Sequence, residues 1–187
     1  MKSFYYITTV VFLSLTTAGC SMSKLLVGQV DAVDQKSSTI QVTPVESIDP
    51  NWKRIDSSEH SAGLNDMPDR AWQSNKTASV ISLNSACRQH NDEAQNFAEM
   101  GLKEITADLL SQWTEIDHKT ETDLNLSGFP AFETTAEGIY YGRHRKFQTV
   151  VVKTPTCIYD LIFLSPPRSY TQDLAIFQKF RDKLILK

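Results

Sequence analysis

One stretch of the chain, residues 78–87, alternates apolar and polar residues with a period of two, and its apolar side carries Cys87. In a second strand candidate, residues 157–164, one side holds Cys157, Tyr159, Leu161 and Phe163. Such alternation is typical of half-buried β-strands. The sequence therefore predicts a sheet that packs one face on an apolar core and directs both cysteines toward it.

Two other stretches have the spacing of amphipathic helices. From Asn91 to Trp113 apolar residues recur every three or four positions, and Asn91 or Asp92 can cap the start. A second apolar pattern runs toward the carboxyl end after Ser169-Tyr170-Thr171-Gln172, which has the form of a capping box. We predict a helix at each place.

The remaining strand candidates are rich in β-branched and aromatic residues and are separated by short turns. They are residues 52–55, 71–72, 114–119, 123–126, 131–135, 139–141 and 147–153, with turns predicted at 127–130, 137–138 and 142–146. Strands, a helix, a four-stranded meander and a helix follow one another in this order. The order predicts an α+β fold with a mainly antiparallel sheet and two packed helices.

The amino-terminal segment has the pattern of an export signal. Lys2 precedes Phe4 to Leu15, a run without charge. This run is too short for a membrane-spanning helix, which needs about 20 apolar residues. We therefore predict that residues 1–19 are a signal peptide that is removed on export.

The residues that end this segment, Thr17-Ala18-Gly19-Cys20, resemble the lipobox of bacterial lipoproteins. In that family the peptidase cuts before the cysteine, which carries a diacylglycerol thioether and a further acyl chain. The resemblance implies lipidation at Cys20, and two or three chains together hold a protein stably on a membrane. Thr17 departs from the usual Leu, Val or Ile, so secretory cleavage without lipid is the alternative. Ser21, which is not Asp, implies transfer to a Gram-negative outer membrane facing the periplasm.

The three predicted parts of the chain follow from this anchor. Residues 1–19 are the signal peptide, residues 20–49 the lipidated amino terminus and a tether, and residues 50–187 the α+β domain. No stretch of residues 21–47 is long enough to bury a face by itself, although part of it could add a hairpin. The length and the 41% hydrophobic content suit one domain with its own core.

If Cys20 carries the lipid, two cysteines remain free, and the exported protein lies in an oxidising compartment in which disulfides form. We expect Cys87 and Cys157 to form a disulfide. The competing interpretation is a pair of buried free thiols. A catalytic cysteine has less support, although Arg88 and His90 lie beside Cys87, because both cysteines share the core face of a strand.

The charge balance excludes one class of partner. Without residues 1–19 the chain loses one lysine, so 18 basic residues (19 − 1) face 22 acidic ones, a formal net charge of −4 (18 − 22). Nucleic-acid-binding proteins usually offer a basic face, and we expect no nucleic-acid partner. The expected partners are the membrane, through the lipid anchor, and a protein of the envelope.

One family resemblance extends over roughly residues 50 to 186. The run ASVISLNSAC with the helix after it, the later GFPAF and VVVKTPTCIYDLIFLSPP, and the last helix resemble uncharacterised envelope lipoproteins of Gram-negative bacteria, notably deltaproteobacteria. The order of elements is also similar to the PsbP and Mog1 sandwich, whose members mostly bind or assist other proteins. Neither resemblance implies catalytic residues.

One basic cluster occurs, Gly142-Arg143-His144-Arg145-Lys146, which we interpret as a hairpin tip. Arg143, Arg145 and Lys146 are candidates for contact with anionic lipid, lipopolysaccharide phosphate or an acidic protein face. The alternative is an ordinary solvated turn.

Sequence motifs for catalysis, metal binding and nucleotide binding are weak throughout the chain. The four histidines, His60, His90, His118 and His144, have no zinc-ligand spacing. We expect no metal and no cofactor, and we find no nucleotide or nucleophile-elbow motif. The sequence favours a non-enzymatic binding or accessory protein, with an envelope hydrolase acting on peptidoglycan or lipid as the alternative.

Overall fold

A seven-stranded antiparallel sheet forms the centre of the molecule. The structure is a computed structural model that describes residues 40–55, 70–87 and 101–186. The strands are β1 (Ile40–Gln41), β2 (Trp52–Ile55), β3 (Arg70–Ser74), β4 (Val80–Cys87), β5 (Trp113–Leu126), β6 (Phe129–Tyr140), β7 (Arg143–Lys153), β8 (Cys157–Ser165) and β9 (Ile185–Leu186). In the large sheet their order is β2-β3-β4-β8-β7-β6-β5, whereas β1 and β9 form a separate pair.

Two described helices cover opposite faces of this sheet. Helix α1 (Leu102–Leu110) packs on β6 and β7, and helix α2 (Pro167–Asp182) packs on β7 and β8. The larger apolar core lies under α2 and includes the fully buried Phe163 and Phe177. A smaller cluster under α1 includes Leu110 and Phe147. The predicted α+β class, mainly antiparallel with two packed helices, is confirmed.

The two stretches that carry Cys87 and Cys157 pair with each other as β4 and β8. Ile81 lies opposite Phe163, and Leu83 lies opposite Leu161. The apolar sides of both strands therefore coincide and face α2, because paired residues in an antiparallel ladder point to the same side. This shared side is the reason that both cysteines lie on one face of the sheet.

The prediction for the meander was wrong in its boundaries. The two weak strands at 114–119 and 123–126 are one strand, β5, of 14 residues. Residues 137–138, predicted as a turn, lie inside β6, and the turn comes at Tyr141-Gly142 instead. Most residues of β5 are exposed because it is the last strand of the sheet. It therefore has no buried side to generate an alternating pattern.

Both predicted helices also have different ends. Gly101 is extended, with φ −76° and ψ 141°, so no single helix runs through it, and Trp113 begins β5. Residues 91–100, with the predicted cap, lie outside the described residues. Helix α2 begins at Pro167, whose fixed φ suits a first helical turn. The predicted capping box at Ser169 is therefore wrong.

Residues placed in the tether belong partly to the fold. Ile40 pairs with Leu186, and Val45 is fully buried in the larger core. Ser127 in the β5–β6 turn donates a hydrogen bond to the Leu184 carbonyl oxygen at 2.8 Å. The described chain therefore enters the fold beside the β5–β6 turn, and the folded part includes residues 40–49.

Candidate partner-binding surface

The predicted basic cluster is divided between the two faces of the sheet. Only Gly142 lies in the hairpin turn, and the other four residues, Arg143 to Lys146, belong to β7 and not to the turn as predicted. Side chains alternate along a strand, so Arg143 and Arg145 share the α1 face with Phe147, whereas His144 and Lys146 lie on the α2 face. The three predicted contact residues therefore do not form one surface.

On the α2 face the positive charge is balanced by neighbouring acidic groups. Lys146 Nζ lies 3.4 Å from Glu137 Oε2 and 4.7 Å from the centre of the Tyr170 ring. His144 Nε2 lies 3.2 Å from Asp117 Oδ2 and 4.0 Å from Glu137 Oε1. Lys146 is thus engaged within the protein, which argues against its predicted role in contacting an anionic partner.

Tyr170 anchors the start of α2 to this face. Its hydroxyl donates a hydrogen bond to Gln148 Oε1 at 2.8 Å. Burial raises the pKa of the Tyr170 hydroxyl to about 12, and the charges of Glu133 and Glu137 act in the same direction, while a hydrogen bond with Thr135 lowers it. The phenol therefore stays neutral far above physiological pH.

This raised pKa predicts a loss of stability in alkali. An unfolded tyrosine ionises near pH 10, whereas folded Tyr170 holds its proton to about pH 12. The contribution of the neutral Tyr170 phenol to the free energy of unfolding is complete below about pH 10. It falls by about 2 kcal/mol as the pH rises through the pKa of the folded state. Urea unfolding at stepped pH should show a steeper decline for the natural chain than for Tyr170→Phe. Equal slopes would contradict this assignment.

Among the described residues, Arg143 and Arg145 on the α1 face have no partner of opposite charge. Neither guanidinium lies within 4 Å of a carboxylate in the described part of the chain. Arg143 lies opposite Tyr140 in the β6–β7 ladder, and Arg145 lies opposite Gly138. Two unpaired arginines therefore stand beside each other at the end of the sheet.

Aromatic side chains continue this surface toward β5. The rings of Tyr140 and Tyr141 meet edge to face at 4.6 Å, and Trp113 packs 5.3 Å from Tyr140. Both phenols donate to Gln112 Oε1, at 3.3 Å from Tyr140 and 3.1 Å from Tyr141. Burial raises the pKa of Tyr140, and Tyr141 adds to the effect. The two tyrosines are thus held in one place by a shared acceptor.

A bulge in β5 shapes the rest of this surface. The β5–β6 register shifts on both sides of Glu115 and Ile116, and a Cβ on Gly138 would lie 2.1 Å from the Glu115 carbonyl oxygen. Only glycine permits that close approach. Ile116, paired with Gly138, remains 41% exposed. We define the tip patch as Gln112, Ile116, Tyr140, Tyr141, Arg143 and Arg145.

Tyr141 occupies an unfavourable backbone conformation at the tip. Its φ is 46°, that of the following Gly142 is 70°, and its side chain is 71% exposed. The left-handed region is uncommon for bulky residues, and Asn or Gly is usual at such a turn position. An exposed aromatic residue kept there at an energetic cost indicates a role outside folding.

Substitution of Tyr141 tests whether its left-handed backbone conformation lowers the stability of the protein. Tyr141→Asn should raise the free energy of unfolding by about 0.5–1 kcal/mol, because asparagine tolerates positive φ. The reference is Tyr140→Phe, which keeps the backbone and removes only a partly exposed hydroxyl. Chemical denaturation of both variants measures the difference. A less stable Tyr141→Asn protein would show that ring contacts outweigh the strain.

The structure joins the sulfurs of Cys87 and Cys157, whose Cα atoms lie 4.1 Å apart. The two cysteines are direct partners in the β4–β8 ladder. Cys20, the predicted lipidation site, lies outside the described residues, as do His60 and His90.

Other kinds of site are missing from residues 40–55, 70–87 and 101–186. Within these ranges no group of three or more His, Cys, Asp or Glu side chains could hold a metal ion. No helix described there is long and apolar enough to cross a membrane. The sequence identified Arg143 and Arg145 of the tip patch but not its other residues, although Tyr-Tyr-Gly before a strand candidate is a hairpin-turn signal.

Comparison with known proteins supports the fold. No protein family and no curated protein matches the chain. Among solved structures it is similar to LpqN of Mycobacterium tuberculosis, described as involved in cell envelope biogenesis, with a TM-score of 0.55, 12% identity, and coverage of 86% of this chain and 99% of that one. Cyanobacterial PsbP from Synechocystis gives a TM-score of 0.46 at 9% identity, covering 86% and 96% of the two chains. A Pseudomonas aeruginosa protein of unknown function gives 0.43 at 13%, covering 73% and 82%.

Proposed function

We propose that this chain is a lipid-anchored protein of the cell envelope that works as a non-enzymatic binding or accessory module. The observation that carries the binding role is the tip patch, where the exposed ring of Tyr141 and the half-buried Tyr140 lie beside two arginines that have no carboxylate partner among the described residues. Tyr and Arg are enriched in protein interfaces. Exposure of such a surface in an otherwise well-packed domain favours recognition of a partner.

Lipidation at Cys20 supplies the anchor in this proposal. Residues 21–39 then connect the lipid to the first described strand. Ser21 favours passage to the outer membrane, with the domain in the periplasm. The description of LpqN, which shares the fold, is compatible with work in the envelope.

A hydrolase is less well supported by the geometry. The His144–Asp117 pair is the arrangement most similar to an acid–base couple among the described side chains, but both are about half exposed, at 47% and 51%. Acid–base groups in hydrolases usually lie in clefts that exclude water. We interpret this pair as a surface contact between neighbouring strands.

Membrane fractionation of the full chain in a Gram-negative host tests the anchor. The natural chain should be found with the outer membrane, and Cys20→Ser should keep its signal peptide or appear in the soluble fraction. Ser21→Ala is the matched control and should behave as the natural chain does. Ser21→Asp should shift the protein toward the inner membrane. A Cys20→Ser protein that is cut and still fractionates with membranes would overturn lipid anchoring.

A further inference from the structure

At the end of the sheet that holds the β6–β7 turn, the acidic groups of β5 and β6 make their contacts on the α2 face, away from the tip patch. Asp117 and Glu137 contact His144 and Lys146, which lie on the α2 face. Farther along β5, Lys119 and Glu121 lie on the α1 face, opposite Ala136 and Thr134, and pair with each other at 2.8 Å. Among the described residues, Arg143 and Arg145 thus have no carboxylate within 4 Å at the patch end of the α1 face.

The spacing of these arginines suits carboxylates. They are two residues apart on one side of β7, so their Cα atoms are about 6.6 Å apart. A guanidinium presents a planar fork of donors that matches a carboxylate with two parallel hydrogen bonds. Two forks side by side can take two acidic side chains of one extended segment, since alternate residues of a strand have the same spacing.

The apolar part of the patch suits a polypeptide. Tyr140 and Tyr141 are already held by Gln112, so ordering their rings on binding costs little. Tyr and Arg dominate the energetic centres of protein interfaces, and the exposed Ile116 adds a contact for an apolar side chain. From these features we propose that the tip patch binds an acidic segment of a partner protein, with Arg143 and Arg145 pairing its carboxylates and the tyrosines packing on its apolar side chains.

The position of the patch favours a protein over the anchoring membrane. The described chain enters the fold beside the β5–β6 turn, whereas the patch lies at the other end of β6. The 12 residues of β6 separate these ends by about 36 Å. Two arginines would add only about 1 kcal/mol each at an anionic lipid surface. The patch thus lies at the end of the sheet opposite to the one at which the described chain begins.

This inference deepens the proposed binding role and rests on it. The test uses the full chain, processed in cells and purified in mild detergent. Its probe is a short fluorescent peptide in which Glu occupies two alternate positions, Leu the next two alternate positions and Ser the positions between, so that Glu and Leu share one side of the extended segment. A reference peptide has Gln in place of Glu. Fluorescence anisotropy should show the acidic peptide binding roughly tenfold or more tightly than the reference. Arg143→Glu with Arg145→Glu should remove that difference.

The matched control variant also replaces two positive charges by negative ones, but at a place outside the tip patch. Lys179→Glu with Lys183→Glu alters two exposed residues near the end of α2 and should leave peptide binding unchanged. Equal binding of both peptides, or an equal loss in the two variants, would overturn the proposal. The proposal would also be overturned if vesicles of phosphatidylglycerol and phosphatidylethanolamine bound in a way that depends on Arg143 and Arg145 while the peptide did not bind. If the peptide does not bind while Cys20 is still lipidated, the binding role of the tip patch is refuted and the proposed lipid anchor is not.

Discussion

Replacing Cys87 and Cys157 together with alanine should lower the free energy of unfolding by roughly 4 kcal/mol. The bond closes a loop between cysteines 70 residues apart, and removing it lets the unfolded chain sample many more conformations. That loss is a large share of the roughly 5–15 kcal/mol that stabilises an ordinary domain. Urea unfolding of the natural and double-alanine proteins, followed by tryptophan fluorescence, measures it.

Reductant provides the control for this prediction. It should shift the unfolding midpoint of the natural protein toward that of the double-alanine variant and leave the variant unchanged. A natural protein whose midpoint is the same with and without reductant would show that the bond contributes nothing to stability in solution.

Phe177→Ala should destabilise the protein by about 3–5 kcal/mol. Phe177 is fully buried at the interface of α2 and the sheet, and its ring stacks on that of Phe163 at 5.5 Å. Truncation removes apolar contacts and leaves a cavity that the neighbouring side chains fill only in part. The change should appear as a lower urea midpoint with an unaltered slope.

Ile185→Ala is a suitable reference for this substitution. Ile185 is an apolar residue that is 49% exposed on the short strand β9. Its truncation should cost well under half of the Phe177 effect. Similar losses for both variants would contradict the view that α2 is held mainly by the core beneath it.

The strands that the sequence predicts well are those with a side in the apolar core under α2. Strand β4 alternates because one of its faces meets that core, and β8 directs Cys157, Leu161 and Phe163 into it. On the other side of β8, Ile162 and Leu164 pack against the cluster under α1. Val45 is different, because one buried residue in a short 3₁₀ turn leaves no periodic pattern. For that reason the domain boundary was placed too late.

The charged residues of β5 show a second limit. An edge strand with little buried surface can hold Glu, Asp, Lys and Thr throughout, and such a composition is shared with loops. Gly138 was interpreted as a turn residue because glycine is common in turns. Its actual role, a close approach to the Glu115 carbonyl oxygen, depends on the neighbouring strand and cannot be inferred from local sequence.

The candidate site was predicted in part. The arginines were identified, but adjacency in sequence does not mean a shared surface in a strand, so Lys146 was wrongly grouped with Arg143 and Arg145. Tyr140 and Tyr141 lie in a predicted strand, 139–141, and that prediction by itself indicates no surface role. Only the register of β5 to β7 places them beside the arginines.

Intact mass of the protein isolated from membranes of a Gram-negative host tests the central claim most directly. We predict the mass of a chain that begins at Cys20 and carries a diacylglycerol and a further acyl chain, with a gain of about 2 Da on reduction as the disulfide takes up two hydrogens. An unlipidated mass, whether of the uncut chain or of one cut at another residue, would contradict anchoring through Cys20.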